Sequence, residues 1–248
     1  MDESKTFKLI VEYDGTDFCG WQRQKTDPSI QGAIEAVLQR MTGQPVTVHG
    51  SGRTDAGVHA LGQCAHFSCP TRLTALELLK GLNSLLPGAI AIRACEQVAP
   101  DFHARFDARH KTYRYRVLNR PVRAAIERQY AWHIYRPLDL TAMNRAADHI
   151  VGRHDFKAFE NTGSPRALTV RHVMAAGWRQ TGADDLVFEI RADGFLKFMV
   201  RNIVGTLVAV GLGKMPPQAV KTILAAGDRR RAGATAPPHG LFLVQVAY

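Results

Sequence analysis

The 248-residue sequence predicts an α+β fold of two ferredoxin-like (RRM-like, split-βαβ) halves, each a mainly antiparallel sheet with helices on one face. Three observations carry this reading. The hydrophobic content of 46% is ample for a packed core. Apolar periodicity alternates between two residues and 3.6 residues in the order βαββαβ. That order then recurs.

Taking the elements in turn, "FKLIVEY" places Phe7, Leu9, Val11 and Tyr13 on one face of a strand. "SIQGAIEAVLQRM" sets Ile30, Ile34, Val37, Leu38 and Met41 at helical spacing. "PVTVH" and "QCAHFSC" read as strands, "TALELLKGLNSLL" as a helix and "AIAIRACEQV" as a strand. After an irregular basic stretch come strand "KTYRYRVL", helix "LTAMNRAADHIV", paired strands "LTVRHVMAAGWRQ" and "DLVFEIRA", helix "KFMVRNIVGTLVAVGL" and strand "GLFLVQVA". A short extra helix, "QAVKTILAA", precedes that final strand. The boundary falls between residues 98 and 110, dividing the chain into 1–103 and 104–248. A sheet face bare of helices is a platform for looped RNA, unless the two sheets hide those faces against each other or in a dimer.

Lys plus Arg outnumber Asp plus Glu by 32 to 22, a formal charge of +10 that favours a polyanionic partner over a generic solvated surface. The opening "MDESKTFKLIVEY" has no basic and apolar leader pattern, so Cys19, Cys64, Cys69 and Cys95 read as reduced thiols of a cytoplasmic protein. Ile203 to Gly213, the most apolar long stretch, is too short for a bilayer and lies between Arg201 and Lys214, so no membrane role is expected.

The loop "HGSGRTDAGVHA" packs three glycines around one carboxylate, Asp55. It lacks the closing Gly-Lys-Ser/Thr of a phosphate-binding P-loop, so it is built to present side chains, or else Asp55 merely caps a turn. From His103 to Arg123, "HARFDARHKTYRYRVLNRPVR" holds seven Lys/Arg against the single acid Asp107, which makes it the candidate phosphate track. Within it, strand alternation puts Tyr113 and Tyr115 on one face and Arg114 and Arg116 on the other. The tyrosines are base-stacking surface or core aromatics; the arginines make salt bridges or touch phosphate. Arg201 stands beside the stripe Val200, Ile203, Val204, Leu207 and Val208, where it is exposed or paired with a carboxylate, Asp55 being the partner to test. Arg229 to Arg231 read as a solvated loop with phosphate as a further contact. His59, Cys64, His66 and Cys69 fall mainly on one strand without paired C-x-x-C knuckles, the zinc-deaminase signature is absent, and Asp14 and Asp17 read as turn acids.

Together "YDGTDFCGWQRQ", "GSGRTDAGVHA", "FDARHKTYRYRV", "GFLKFMVRNIVG" and "APPHGLFLVQVAY", in this order, resemble the tRNA pseudouridine synthase A family, from residue 7 to the C-terminus. The resemblance implies an isomerase that converts uridine to pseudouridine at positions 38, 39 and 40 of tRNA anticodon stem-loops, with no cofactor and no metal. It implies two α/β halves on a continuous sheet, an active cleft between them, and a homodimer that binds tRNA across both subunits. Residue by residue, Asp55 matches the catalytic aspartate and Arg53 the arginine linked to displacing the target nucleotide. Tyr113 matches the tyrosine that stacks on the flipped base, Arg201 the arginine paired with the carboxylate, and Leu241 an apolar residue near the base. Lys197-Phe198 stand where many relatives carry Tyr-His, and Phe242 where Tyr is common.

This chemistry needs an ionised carboxylate near C1′, as nucleophile or as base at C2′, and an extruded base whose unstacking cost is offset by a new stacking partner. Two rival readings are a non-catalytic RNA-binding module, for which the RNP-type aromatic strand is missing, and a metal-dependent base-modifying enzyme, for which the ligand set is missing.

Overall fold

The structure, a computed structural model, describes residues 4–161 and 168–248. They gather into two compact units, 1–109 with 242–248, and 110–241. The sequence division places all of 104–248 in one half, whereas here the chain passes into the first unit between Leu241 and Phe242.

In the first unit, strand β1 (Ser4–Tyr13) lies between β3 (His59–Pro70) and β4 (Ile90–Val98), antiparallel to both. The two-residue β2 (His49–Gly50) pairs antiparallel with β3. Strand β10 (Leu241–Ala247) adds a short parallel pairing, Phe242 opposite His59 and Leu243 opposite Ala60. Phe7, Leu9 and Val11 are fully buried, as the alternation requires, together with Ile30, Ile34 and Leu38 of α1 (Ile30–Thr42) and Leu78 and Leu82 of α2 (Ala75–Leu85). Local chemistry starts both helices. The Ser29 hydroxyl accepts the Gly32 amide, and Thr74 and Glu77 form a reciprocal capping box.

The segment predicted as strand "PVTVH" contracts to β2, for a physical reason. Pro45 has no amide to give a ladder, and Val48 spends its amide on the Glu35 carboxylate (2.9 Å) and its carbonyl on Gln31 Nε2 (3.1 Å). Strand β3, by contrast, begins four residues before the predicted "QCAHFSC", at His59.

The other face of this sheet carries Lys8 directly opposite His66. The chain after β4 folds back over it. Lys8 Nζ lies 5.7 Å from the Phe102 ring centroid and 5.2 Å from that of Tyr248, and the Tyr248 hydroxyl donates to Ala104 O at 2.7 Å. The Ala104 amide in turn donates to His66 Nδ1 at 3.1 Å.

The second unit has the strand order β5 (His110–Asn119), β9 (Asp185–Ala192), β8 (Val170–Gln180), β7 (Gly152–Asp155). The neighbours are antiparallel, and β6 (Trp132–Ile134) runs parallel beside β5. Strands β6 and β7, of three and four residues, are too short to show a period and were not predicted. Helices α3 (Leu140–Asp148), α4 (Met199–Gly211) and α5 (Ala219–Ala226) complete it. Ile203, Val204, Leu207 and Val208 of α4 are buried as the stripe predicts.

Burial, and then the neighbouring His103 and His49 rings, push the His66 imidazole down from 6.5 to about 4. The unfolded chain therefore binds a proton near pH 6.5 that the folded chain refuses until about pH 4. Stability is expected to fall as pH drops through this window and to level off below it. His66→Asn, whose Oδ1 can still accept the Ala104 amide, should flatten this part of the pH dependence of thermal unfolding. An unchanged slope would exclude His66 as its source.

Candidate active site

Asp55 sits in the loop between β2 and β3, half-buried, and the main chain around it is held from several sides. Its carbonyl accepts the Val58 amide at 3.2 Å across a turn with Gly57 at φ +74°, a conformation glycine adopts without a steric penalty. Thr54, immediately before it, is buried. Its hydroxyl shares a 2.7 Å hydrogen bond with Tyr13 at the end of β1, and its carbonyl accepts the Trp21 amide at 3.2 Å. The segment 15–21 presses directly on this backbone. A Cβ at Gly20, whose φ is +91°, would lie 2.5 Å from the Thr54 carbonyl oxygen and 3.0 Å from the Asp55 carbonyl carbon. At the loop's start, Ser51 donates to Gln63 Oε1 (2.7 Å), and Gln63 donates to Gly52 O (2.9 Å). The carboxylate thus stands on a rigid base.

Arg53, two residues earlier, is exposed, and its Nε donates to Gln22 Oε1 at 2.9 Å. Gln22 donates onward to Gln31 Oε1 (2.9 Å), and Gln31 to Glu35 Oε1 (2.8 Å), a buried carboxylate that also pairs with Arg23 at 3.0 Å. A polar chain from α1 therefore orients Arg53. Asp14 and Thr16 close a local turn (Thr16 N to Asp14 Oδ1, 2.9 Å), as expected of a turn acid. Phe242 stacks on buried His59 with centroids 4.8 Å apart.

In the second unit, Tyr113 is 7% exposed on the core-facing side of β5 and meets Phe195 edge-on at 4.9 Å. The opposite face is paired. Arg114 binds Glu189 at 2.9 Å, Arg179 reaches the same carboxylate at 3.3 Å, and Arg116 approaches Glu127 and Asp185. Burial pushes the Glu189 carboxyl up, but Arg114 and Arg179 outweigh it and hold it below the usual range.

Arg201 lies in the first turn of α4. Its Nε donates to Ala236 O at 2.8 Å, its own carbonyl accepts the Ala236 amide at 3.1 Å, and its Cζ lies 4.7 Å from the Phe198 ring centroid. Phe198 reaches that place with φ +61°, a left-handed conformation uncommon for a residue with a side chain. Lys197 stands over the same ring at 5.5 Å. Segment 232–241 leads on to buried Leu241, and the hydroxyl of Tyr115 donates to Pro237 O at 2.8 Å.

The expectation that 229–231 is solvated fails at its first residue. The Arg229 fork donates to Gly233 O (2.9 Å), Asn202 Oδ1 (2.9 Å) and Thr235 Oγ1 (3.0 Å), tying the segment to α4 next to Arg201. Arg230 instead clasps Asp228 at 2.9 Å. A basic triplet carries no sequence signal that separates one structural arginine from two surface ones.

The structure thus places Asp55 and Arg53 on one loop of the first unit, and Tyr113, Arg201 and Leu241 in the second. The profile of the tRNA pseudouridine synthase family matches residues 9–107 and 146–248. The chain belongs to that family.

Three curated tRNA pseudouridine synthase A sequences align over nearly the whole chain. That of Solidesulfovibrio magneticus is 48% identical, covering 97% of this chain and 90% of its own. That of Myxococcus xanthus is 46% identical, with 97% and 91% covered, and that of Geotalea uraniireducens 46%, with 98% and 100%. As a tRNA pseudouridine synthase the chain is an isomerase that acts on uridine in tRNA. Among the described residues no helix is long and apolar enough to cross a membrane, and no three His, Cys, Asp or Glu side chains converge as a metal-binding set.

Two substitutions test this architecture. Gly20→Ala should displace the Asp55 peptide and cut turnover at least tenfold while circular dichroism stays native; normal turnover would show that the loop does not depend on this contact. Arg229→Met removes three charge-assisted hydrogen bonds, each worth about 1.5–3 kcal/mol. It should lower the urea midpoint of unfolding, whereas Arg231→Met should not.

Proposed function

We propose that the chain converts uridine to pseudouridine at positions 38, 39 and 40 of tRNA anticodon stem-loops, acting as a homodimer, with Asp55 as the catalytic carboxylate. The observation that carries this reading is the rigid presentation of Asp55 by a glycine-rich loop braced on Thr54, Tyr13 and Gly20 in a member of the tRNA pseudouridine synthase family. The reaction breaks the N1–C1′ bond, turns the uracil, and forms a C5–C1′ bond, with the C5 hydrogen lost to solvent as a proton. An ionised Asp55 starts it by attack at C1′ or by removing the proton at C2′. An arginine beside this carboxylate would offset the desolvation that otherwise protonates it, the role the family motif gives to Arg201. The target base leaves the stem and stacks on Tyr113, with Arg53 taking its place or its phosphate and Leu241 walling the apolar side.

Support for these roles lies in how each side chain is held. Arg201 has one nitrogen committed to Ala236 O, which sets the plane of the guanidinium. Tyr113 is packed edge-on against Phe195, so its ring is already ordered before any base arrives.

Incubated with unmodified tRNA tritiated at uridine C5, the protein should release tritium to solvent, and mapping should place pseudouridine at 38, 39 or 40. Release should persist after exhaustive chelation and vanish in Asp55→Asn, while that variant still retains tRNA on a filter. Release by Asp55→Asn at the native rate would overturn the assignment. Tyr113→Phe should bind tRNA normally, and a folded Tyr113→Ala should lose ~1–3 kcal/mol of binding.

A further inference from the structure

On the sheet face that the helices leave uncovered, the first unit carries a cluster of rings whose chemistry is not used by the Asp55 loop. The His49 and His66 rings stack at 5.1 Å, His103 meets them at 5.9 and 4.6 Å, and Phe106 lies against His103 at 4.2 Å. The inner part is fixed by hydrogen bonds. His66 Nδ1 accepts the Ala104 amide, and His103 Nδ1 accepts those of Arg105 (3.1 Å) and Phe106 (3.3 Å). The His103 amide donates to Asp107 Oδ2 at 2.8 Å. The outer part is open. Phe106 is 73% exposed, His49, Arg105 and Arg109 are exposed, and the Arg105 guanidinium lies 5.5 Å from the Phe106 ring centroid.

A phenylalanine so exposed is not needed to anchor this loop, because fully buried Ala104 and the hydrogen bonds above already do so. What the arrangement offers is a flat apolar ring packed on His103, with the Arg105 guanidinium over it and exposed Arg109 three residues further along the chain. That combination suits a nucleobase with its phosphate. A second copy of the chain suits it less, because a two-fold contact would set Arg105 and Arg109 against their own like charges.

The geometry points to a second tRNA contact at Phe106, on which an unpaired base other than the target stacks while Arg105 and Arg109 take its phosphates. This rests on the reading of the protein as a tRNA-modifying enzyme. It concerns affinity and not the reaction, since the contact lies on a different loop from Asp55.

The test is tRNA binding on filters, with kcat and KM from tritium release, for the full chain and for Phe106→Ala, Phe106→Trp and Phe106→Leu. Phe106→Ala should raise both Kd and KM about tenfold and leave kcat within about twofold. Phe106→Trp should restore affinity, and Phe106→Leu, apolar but without a π-face, should not. Unchanged Kd in Phe106→Ala, or restoration by Leu as good as by Trp, would overturn the stacking contact. So would a change in sedimenting mass on Phe106→Ala, which would assign the surface to chain pairing. If the unmutated protein binds tRNA in a ring-dependent way yet makes no pseudouridine, the catalytic reading fails and the contact stands. Pseudouridine formation with KM indifferent to Phe106 is the converse.

Discussion

The first unit depends on the direct packing of two stretches of main chain, 15–21 and 54–58. They meet without side chains between them: Trp21 N donates to Thr54 O, Gly57 N to Phe18 O, and a Cβ at Gly20 would collide with the Thr54 carbonyl. The Tyr13–Thr54 hydrogen bond fastens this contact to the end of β1. Burial of Tyr13 raises its pKa well above the ordinary value, so the phenol is a neutral hydrogen-bond partner near neutral pH. The main chain that carries Asp55 is therefore placed by backbone geometry.

The second unit solves a related problem differently. Arg201 emerges from the opening turn of a buried helix, preceded by a phenylalanine in a left-handed conformation, and its orientation depends on the segment 232–236. That segment has no regular structure. It is held by hydrogen bonds from Arg229, by Gly233 N to Thr206 Oγ1 at 2.8 Å, and by Thr235 to Asn202 Oδ1 at 2.7 Å. Asn202 is fully buried and anchors the group to Phe159 O. Charge-assisted bonds to a planar fork give this loop a definite shape that apolar packing alone would not.

Electrostatics separate the arginines by neighbourhood. On β5, Arg114 and Arg116 face acids of β9 and the following turns, so much of their charge is met within the protein. Such half-exposed pairs add little stability, but they reduce what the strand can offer to phosphate. Arg53, Arg105 and Arg109 remain exposed. The formal +10 therefore overstates the charge on β5 and understates how far it is concentrated at loops.

By itself the sequence determined the longer strands and helices, β6 and β7 excepted, and the buried stripes of β1, α1 and α4. These are local properties: periodicity, capping geometry and turn chemistry act over a few residues, and the family motifs are short. Only the tertiary structure decided that "PVTVH" gives its hydrogen bonds to Glu35 and Gln31, that β10 runs beside β3, that Arg229 is structural while Arg230 is not, and that Arg53 answers to a glutamine relay from α1. Most of these join residues distant in sequence, such as Val48 with Glu35, Arg229 with Asn202 and Phe242 with His59. The partner of a side chain is chosen by folding, because hydrogen-bond donors and acceptors of identical type compete for it and only their positions in space separate them.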